Sequence, residues 1–250
     1  MPEYFGAKGM LRDRKWVESY YSIVLQWPKG CTLSTQERNL IGLAKSLAFN
    51  WEPGILNHTD LALRSGLRPE AVSEVLRTAA VIIGLAQLDK TASALPVARL
   101  RQRDQAKFAT VRRYFGEVPQ FLEHDVILDD PKWLEELLVV AEPAWHRGNA
   151  IISQKTRSLI CLAVASVMGW KEGIGLYKKV SMGSGSTAAE VEDVVKSVFK
   201  TAVSNAMAAG FRTPCHIPSL EKYKTILSAY VESGALAKRM FDPLESQSQD

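Results

Sequence analysis

The chain has 250 residues, of which 46% are hydrophobic and 23% are charged, enough apolar material for one large core or two small ones. Its formal net charge of +4 is mild, and its three cysteines, Cys31, Cys161 and Cys215, include no CxxC pair, which argues against a redox dithiol or a zinc knuckle and favours reduced thiols. Residues 1–15 lack the apolar segment of a secretory signal, and apolar runs such as 79–86 are too short to span a membrane, so we expect a cytoplasmic protein without a membrane partner.

Helical periodicity runs through nearly the whole chain, and sustained period-two alternation is scarce, so the sequence predicts an all-α protein. Residues 11–27 place apolar side chains on one stripe and predict the first helix. Ser34, with Glu37 three residues later, has the pattern of a capping box at the start of the next helix. That helix is predicted to end at Asn50.

Two further helices complete the first cycle. The one that begins near Pro53 is predicted to end at Ser65, because Gly66 suits a helix C-cap. Another begins near Pro69 and keeps its apolar periodicity through Ile83. These helices belong to a predicted first repeat spanning residues 1–96.

A polar connecting helix is predicted over residues 97–114. It carries the main cluster of basic residues, which is Arg99, Arg101, Arg103, Lys107, Arg112 and Arg113. A solvated linker face is the preferred interpretation of this cluster, and a nucleic-acid patch is the alternative, so no nucleic-acid partner is expected. A last helix is predicted over residues 220–237, followed by a flexible tail at 241–250.

The stretch from Ser34 to Leu88 recurs without a gap as Ser153 to Met207, an offset of 119 positions. Identical residues at this offset include Arg38/Arg157, Leu40/Leu159, Ile41/Ile160, Leu43/Leu162, Ala44/Ala163, Trp51/Trp170, Gly54/Gly173, Ile55/Ile174 and Gly66/Gly185. Shared helical bias alone does not explain such matching, so we interpret it as a tandem duplication whose second repeat covers residues 115–240.

Only the first copy has a histidine, His58, in the helix that follows Pro53; the second copy has Tyr177 at the equivalent position. His58 lies four residues after Gly54 and therefore on the same helix face. A histidine near a helix start is favoured in its neutral form, which suits general acid–base work. Glu37 and Asn39 on the preceding helix could reach the same pocket.

Arg38 has two interpretations. It could bind a carboxylate, or it could be structural, because Arg157 matches it in the second copy. In the structural case the two arginines would form ion pairs with Glu74 and Asp193. The other histidines, His124, His146 and His216, lie in no metal-ligand spacing, so no metal site is predicted.

The first copy contains L-S-x-x-E-R-x-L-I, an apolar helix, W-x-x-G-x-x-x-H and A-L-x-x-G-L-x-P-E-A-V-x-E-V-L. This pattern resembles the carboxymuconolactone decarboxylase and AhpD-like superfamily, as does FGEVPQFL before the second copy. The resemblance implies an AhpD-like helical fold in two tandem repeats. It also implies a homotrimer, with a homodimer second, because single-repeat members pack these helices across subunits.

The alkylhydroperoxidase branch of the family uses C-x-x-C-x-x-x-H and an upstream glutamate. In this chain Trp51 and Gly54 stand at the cysteine positions and Asn39 stands at the glutamate position, so thiol peroxidase chemistry is excluded. The decarboxylase branch keeps E-R-x-L-I and the histidine, and its reaction needs no cofactor. By this resemblance, Arg38 would hold a substrate carboxylate and His58 would handle the proton.

The sequence therefore supports a cofactor-independent acid–base enzyme, a lyase or isomerase acting on a small carboxylated or lactone-like metabolite. The expected catalytic residues are His58, Glu37 and Asn39, and the expected substrate-binding residues are Arg38, Trp51, Gly54 and Tyr177. Tyr177 could instead be structural, and Trp51 could be a core or interface residue or could wall an apolar pocket. The alternative function is a catalytically inactive ligand-binding or scaffolding protein with the same fold.

Overall fold

The computed structural model describes Lys15, Ser19 and residues 30–92, 106–123, 125–145 and 151–212, without the side chains of 125–126 and 207–212. The chain divides into the units Met1–Ala208 and Ala209–Asp250. The described residues are helical and contain no strand, which confirms the predicted all-α class. The predicted helices at 11–27 and 220–237, the connecting residues 97–105 and the tail lie outside the described residues, apart from Lys15 and Ser19.

Three helices follow one another in the first copy. They are α1 (Thr35–Ala48), α2 (Glu52–Arg64) and α3 (Pro69–Ala92). The predicted capping box is present, since the Ser34 side chain accepts from the Glu37 backbone N–H and the Glu37 carboxylate accepts from the Ser34 N–H. Gly66 has φ of +85° just after α2, the left-handed conformation in which glycine ends a helix.

The connection to the second copy contains α4 (Ala109–Phe115), α5 (Asp125–Leu128) and α6 (Pro131–Val140), with 3₁₀ turns at Gln120–Leu122 and Glu142–Ala144. The predicted connecting helix to residue 114 is corrected here, because residues 106–108 form a turn and the helix begins only at Ala109. Phe108 is 0% exposed, and Val111 is buried beside it in the core. This segment is anchored on one side by apolar burial, while Arg113, one of its basic residues, is exposed, so the solvated basic face stays a prediction.

The second copy repeats the same order with α7 (Gln154–Met168), α8 (Lys171–Gly183) and α9 (Ala188–Arg212). Positive-φ residues also recur at equivalent places: Asn50 and Gly169 follow α1 and α7, and Gly66 and Gly185 follow α2 and α8. These correspondences are what a tandem duplication predicts, although the duplication itself stays a prediction.

Helices α1, α3 and α7 pack against one another and build the centre of the core. In the described part of the chain, α3 is the one helix long and apolar enough to cross a membrane by length and composition, with a mean hydropathy of 1.5. Uninterrupted apolar runs such as 79–86 are much shorter than this helix, and the expectation of no membrane partner stays a prediction. Half of its most apolar window is buried inside the protein, where Val75, Ala79 and Ile82 are 0% exposed.

Polar contacts join the two copies, and one of them is a buried ion pair. The Arg157 guanidinium pairs with Glu74, whose carboxylate also accepts from the backbone N–H of Ile151 at 2.9 Å. At the equivalent positions, Asp193 of the second copy accepts from the backbone N–H of Thr32 at 2.7 Å. The acid of each copy therefore binds the segment that precedes the first helix of the other copy.

Candidate functional site

Helices α1 and α2 pack antiparallel, and we call the interface between them the seam. Three contacts follow one another along it. Asn39 Nδ2 donates to the Leu61 carbonyl at 3.1 Å at one end, and the Trp51 backbone N–H donates to the Ser46 carbonyl at 2.8 Å at the other. The imidazole of His58 lies between them. The seam is the place where the sequence predicted a pocket, and it defines the candidate site.

Gly42 is what makes room for His58. A Cβ atom at Gly42 would lie 2.4 Å from Cε1 of the imidazole and 2.5 Å from Nδ1, closer than real Cβ contacts. The imidazole therefore rests directly on the backbone of α1. The second copy has Cys161 and Tyr177 at these two positions, so a glycine–histidine pair is replaced by a thiol and a phenol.

Gly54 serves the packing of Trp51. A Cβ at Gly54 would lie 2.3 Å from Cε3 of the indole and 2.5 Å from Ser46 Oγ. In the second copy a Cβ at Gly173 would lie 2.1 Å from Cε3 of Trp170. The tryptophan–glycine contact is thus common to both copies, and it explains Gly54 by architecture more directly than by substrate binding.

His58 is held in its neutral form. The residue is partly exposed, but its Nδ1 is buried without a hydrogen-bond partner. Burial, and to a lesser extent the nearby charges of Lys45 and Lys200, lower the pKa of the imidazole to about 3. The sequence correctly favours the neutral form but assigns the wrong cause, because His58 lies in the middle of α2 and not near its start.

Lys45 is a site residue that sequence reasoning missed. It is 3% exposed, and its Nζ donates to Ser197 Oγ at 2.6 Å and to the Ser197 carbonyl at 3.0 Å. Burial, followed by the charge of Lys200, lowers the pKa of Lys45 to about 7. The sequence does contain one indication that Lys45 is buried: it lies among apolar residues of α1, and the second copy has Val164 at the equivalent position.

Lys200, on α9, is the third base of this region. It is partly exposed, and its pKa is lowered by burial and then by the charge of Arg38. Lys200 belongs to the second copy, and the first copy has Val81 at the matching position on α3, so the basic region around His58 combines residues of both copies.

The remaining predicted residues of α1 have other contacts. Glu37 forms the capping box and lies 3.3 Å from Lys155 Nζ, which also contacts Glu190. Arg38 donates to the Leu33 carbonyl at 3.2 Å and to Thr35 Oγ1 at 2.9 Å. The seam therefore brings together His58, Asn39, Trp51 and Gly54, whereas Glu37 and Arg38 make the contacts just described at the start of α1.

Tyr177 is packed in an aromatic cluster. It is 0% exposed, and its ring makes edge contacts with Phe115 at a centroid distance of 5.6 Å and with Trp170 at 6.3 Å. Burial raises the pKa of the Tyr177 hydroxyl well above its usual value. At the position where the first copy has a partly exposed imidazole, the second copy has a closed aromatic core.

Among the residues that the structure describes, no group of three or more His, Cys, Asp or Glu side chains is placed to hold a metal ion. The described arrangement instead offers one neutral imidazole, two lysines of lowered pKa and the seam beside them. Such a set of groups can accept protons and attract negative charge.

Comparison with known proteins supports the fold. No family model matches the chain, and no curated protein matches it. The structure is similar to that of a protein described as a gamma-carboxymuconolactone decarboxylase subunit of Burkholderia xenovorans LB400. The TM-score is 0.61 at 20% sequence identity, over 80% of this chain and 85% of that chain. The resemblance seen in the sequence is therefore confirmed at the level of the fold, because the chain has the same all-α fold as this protein.

Proposed function

We propose that the chain is a cofactor-independent acid–base enzyme of the carboxymuconolactone decarboxylase-like type. Its substrate would be a small carboxylated or lactone-like metabolite, and its proton-transfer group would be His58. The observation that carries the proposal is the neutral imidazole seated on Gly42 in the first copy, with Lys45 and Lys200 nearby. Perturbed titratable groups gathered at one place are typical of catalytic sites.

The neutral state of the His58 imidazole determines which proton transfers it can perform. A neutral imidazole can take a proton from a carbon next to a carboxylate or lactone carbonyl, and it can return that proton to a different carbon. In a decarboxylation the C–C bond to the carboxylate breaks, its electron pair stays on the substrate as an enolate, and a proton is then added to carbon. With a pKa of about 3, the imidazolium of His58 is a strong acid that gives up its proton readily.

The same low pKa makes free His58 a weak base, so a bound anion has to stabilise its protonated form. A substrate carboxylate would supply that negative charge, and the two lysines would hold the carboxylate. The proposal therefore ties proton transfer to substrate charge. It assigns no chemical role to Glu37, whose carboxylate is engaged with Ser34 and Lys155.

A ligand-binding protein without catalysis is the second candidate. It is favoured by Asn39, whose amide is used in a hydrogen bond to the Leu61 carbonyl, and by the structural use of Trp51 and Gly54. In that case the seam would recognise a small molecule and leave it unchanged. The two candidates differ only in turnover.

A turnover screen separates the candidates. Small carboxylic acids and lactone acids would be incubated with the protein in D₂O, and NMR would follow deuterium incorporation at carbon and the loss of carbon dioxide. We expect conversion by the wild type and a loss of at least about a hundredfold in His58→Gln, the usual contribution of a general acid–base group.

The matched control is Tyr177→Phe, which changes the equivalent position of the second copy and should leave the rate unchanged. Equal rates in wild type and His58→Gln on a converted substrate would refute the assignment of His58. No conversion of any compound by the wild type would favour the ligand-binding candidate.

A further inference from the structure

Helix α3 is more apolar than its place in the core requires. Its most apolar window has a mean hydropathy of 1.5, but half of that window is not buried inside the protein. Val75, Ala79 and Ile82 lie on its buried side. Contiguous apolar surface that stays uncovered on a folded protein typically marks a binding site. The exposed side of α3 is therefore a candidate binding surface.

The exposed side of α3 and the neighbouring helix α6 form a groove. Its volume is about 540 Å³, which is within the usual range of small-molecule sites in proteins. Helix α3 contributes a strip that runs from Ala80 to Thr91, and α6 contributes Trp133, Leu137 and Val140. These α6 residues are four and three positions apart, so they lie on one face of the helix. We call this space the α3–α6 groove.

Gly84 leaves the groove open on the α3 side. A Cβ atom at Gly84 would meet nothing within 4 Å, so no neighbouring side chain requires a glycine there. Glycine in the middle of a helix is otherwise unfavourable relative to alanine. The second copy has Val203 in its place, and it has Lys200 in place of Val81, which also lines the groove. The open, uncharged strip is therefore a property of α3 that its counterpart α9 does not share.

The lining of the groove selects an uncharged ligand. Among the described residues that form it, all are apolar except Gln87 and Thr91. The Thr91 hydroxyl donates to the Gln87 carbonyl at 2.9 Å, so it is already satisfied. A charge that enters apolar surroundings without a partner is costly. The Gln87 side-chain amide can instead hydrogen-bond to a neutral hydroxyl.

The dimensions of the groove decide which uncharged molecule fits. The strip from Ala80 to Thr91 is about 16 Å long, so the volume corresponds to a cross-section of roughly 30 Å². An α-helix of a partner protein has a cross-section of roughly 80–110 Å² and is too wide to enter. An extended peptide would bring backbone N–H and C=O groups against apolar side chains that cannot pair with them. A hydrocarbon chain meets neither obstacle.

We propose that the α3–α6 groove binds an uncharged molecule with a hydrocarbon chain, such as a fatty alcohol. The chain lies along α3 at Gly84 and packs against Trp133 and Val140 of α6. Burial of apolar surface supplies the binding free energy. No residue of the groove belongs to the seam, so the inference is independent of the proposed acid–base function.

Fluorescence titration of the full chain with N-phenyl-1-naphthylamine tests the proposal. This probe is uncharged, and its emission rises in apolar surroundings. We expect one saturable site of micromolar affinity and displacement of the probe by 1-decanol. His58→Gln should bind the probe like the wild type, so a failure of the proposed catalysis would leave this result unaffected.

Two substitutions should block the groove. Gly84→Leu places a side chain in the open space beside α3, and Val140→Asp places a charge at a lining position that is 65% exposed. Each should weaken probe binding at least about tenfold, because the lost contact is comparable with that of one buried apolar side chain. Both positions are exposed, and thermal unfolding would confirm that the variants are folded.

Each substitution has a matched control. Gly175 is also an exposed helical glycine whose Cβ would meet nothing within 4 Å, and it lies on α8, outside the groove. Val139 precedes Val140 on α6, is 71% exposed and does not line the groove. Gly175→Leu and Val139→Asp should therefore bind the probe like the wild type.

Three results would overturn the proposal: no saturable binding by the wild type, undiminished binding by Gly84→Leu or Val140→Asp, or equal weakening by the control variants. Light scattering provides a further check. A dimer that Val140→Asp dissociates, without displacement of the probe by 1-decanol, would assign the groove to a second copy of the chain and would also overturn the proposal.

Discussion

Glu74→Gln is expected to destabilise the protein by about 3–5 kcal/mol, the cost of leaving one charge of a buried ion pair without its partner. Arg157 is 3% exposed and pairs with the Glu74 carboxylate. The same carboxylate accepts the backbone N–H groups of Ile151 and Ile152. The substitution keeps the size of the side chain and removes its charge, so chemical denaturation would measure the charge effect.

Glu192→Gln is the matched control, since Glu192 is also paired with a basic residue, Lys196, but on the surface. It should change the free energy of unfolding by less than about 0.5 kcal/mol, because exposed ion pairs contribute little. Similar losses from Glu74→Gln and Glu192→Gln would contradict the buried connection between the two copies.

Lys45 should make stability depend on pH in the alkaline range. Its pKa is about 7 in the folded chain, below the ordinary value of 10.5 that applies when the chain is unfolded. Between these values the unfolded chain binds more protons, so the free energy of unfolding rises with pH, by up to about 1.4 kcal/mol per pH unit. The penalty is fully present below pH 7, is on the order of 5 kcal/mol, and disappears as pH approaches 10.5.

Lys45→Met removes this penalty, and Ser197 keeps other contacts because its hydroxyl donates to the Val194 carbonyl at 2.6 Å. Urea unfolding at pH 7, 8, 9 and 10 should therefore show a difference between wild type and Lys45→Met that shrinks as pH rises. Lys196→Met should follow the wild type at every pH. A constant difference between wild type and Lys45→Met would show that Lys45 titrates normally in the folded protein.

Much of the local structure follows from the sequence because its causes are local. The Ser34–Glu37 capping box and the Gly66 helix end depend on residues a few positions apart, and the structure contains both. The repeated tryptophan and glycine positions also correctly mark equivalent helices. The turn before Ala109 was missed because the burial of Phe108, a tertiary effect, overrides the helical preference of its neighbours.

The site was less predictable because its contacts are distant in sequence. Lys45 and Ser197 are 152 positions apart, and no local pattern pairs them. The sequence predicts Glu74 and Asp193 as the ion-pair partners of Arg38 and Arg157, and the structure pairs Arg157 with Glu74. Residue spacing alone does not predict which acid pairs with which arginine, because it does not reveal which copy supplies the acid. The role of Gly42 depends on the tertiary packing of α2 against α1, because a helical glycine gives no indication in the sequence of which side chain rests on it.

The difference between the two copies is the main guide to function. Both keep the helices and the tryptophan–glycine contact, whereas His58 and Lys45 occur in the first copy alone and lie near Lys200 of the second copy. The second copy has a closed aromatic core around Tyr177. Shared features therefore serve the architecture, and the basic groups are where function should be sought.

An NMR titration of the imidazole resonances tests the neutral, buried state of His58 most directly. The chain has four histidines, and His58→Gln would assign the signal of His58 by its loss. Because its pKa is about 3, the His58 signals should stay unchanged between pH 8 and pH 5, a range in which an ordinary histidine titrates. A His58 titration centred near pH 6.5 would contradict the proposed site.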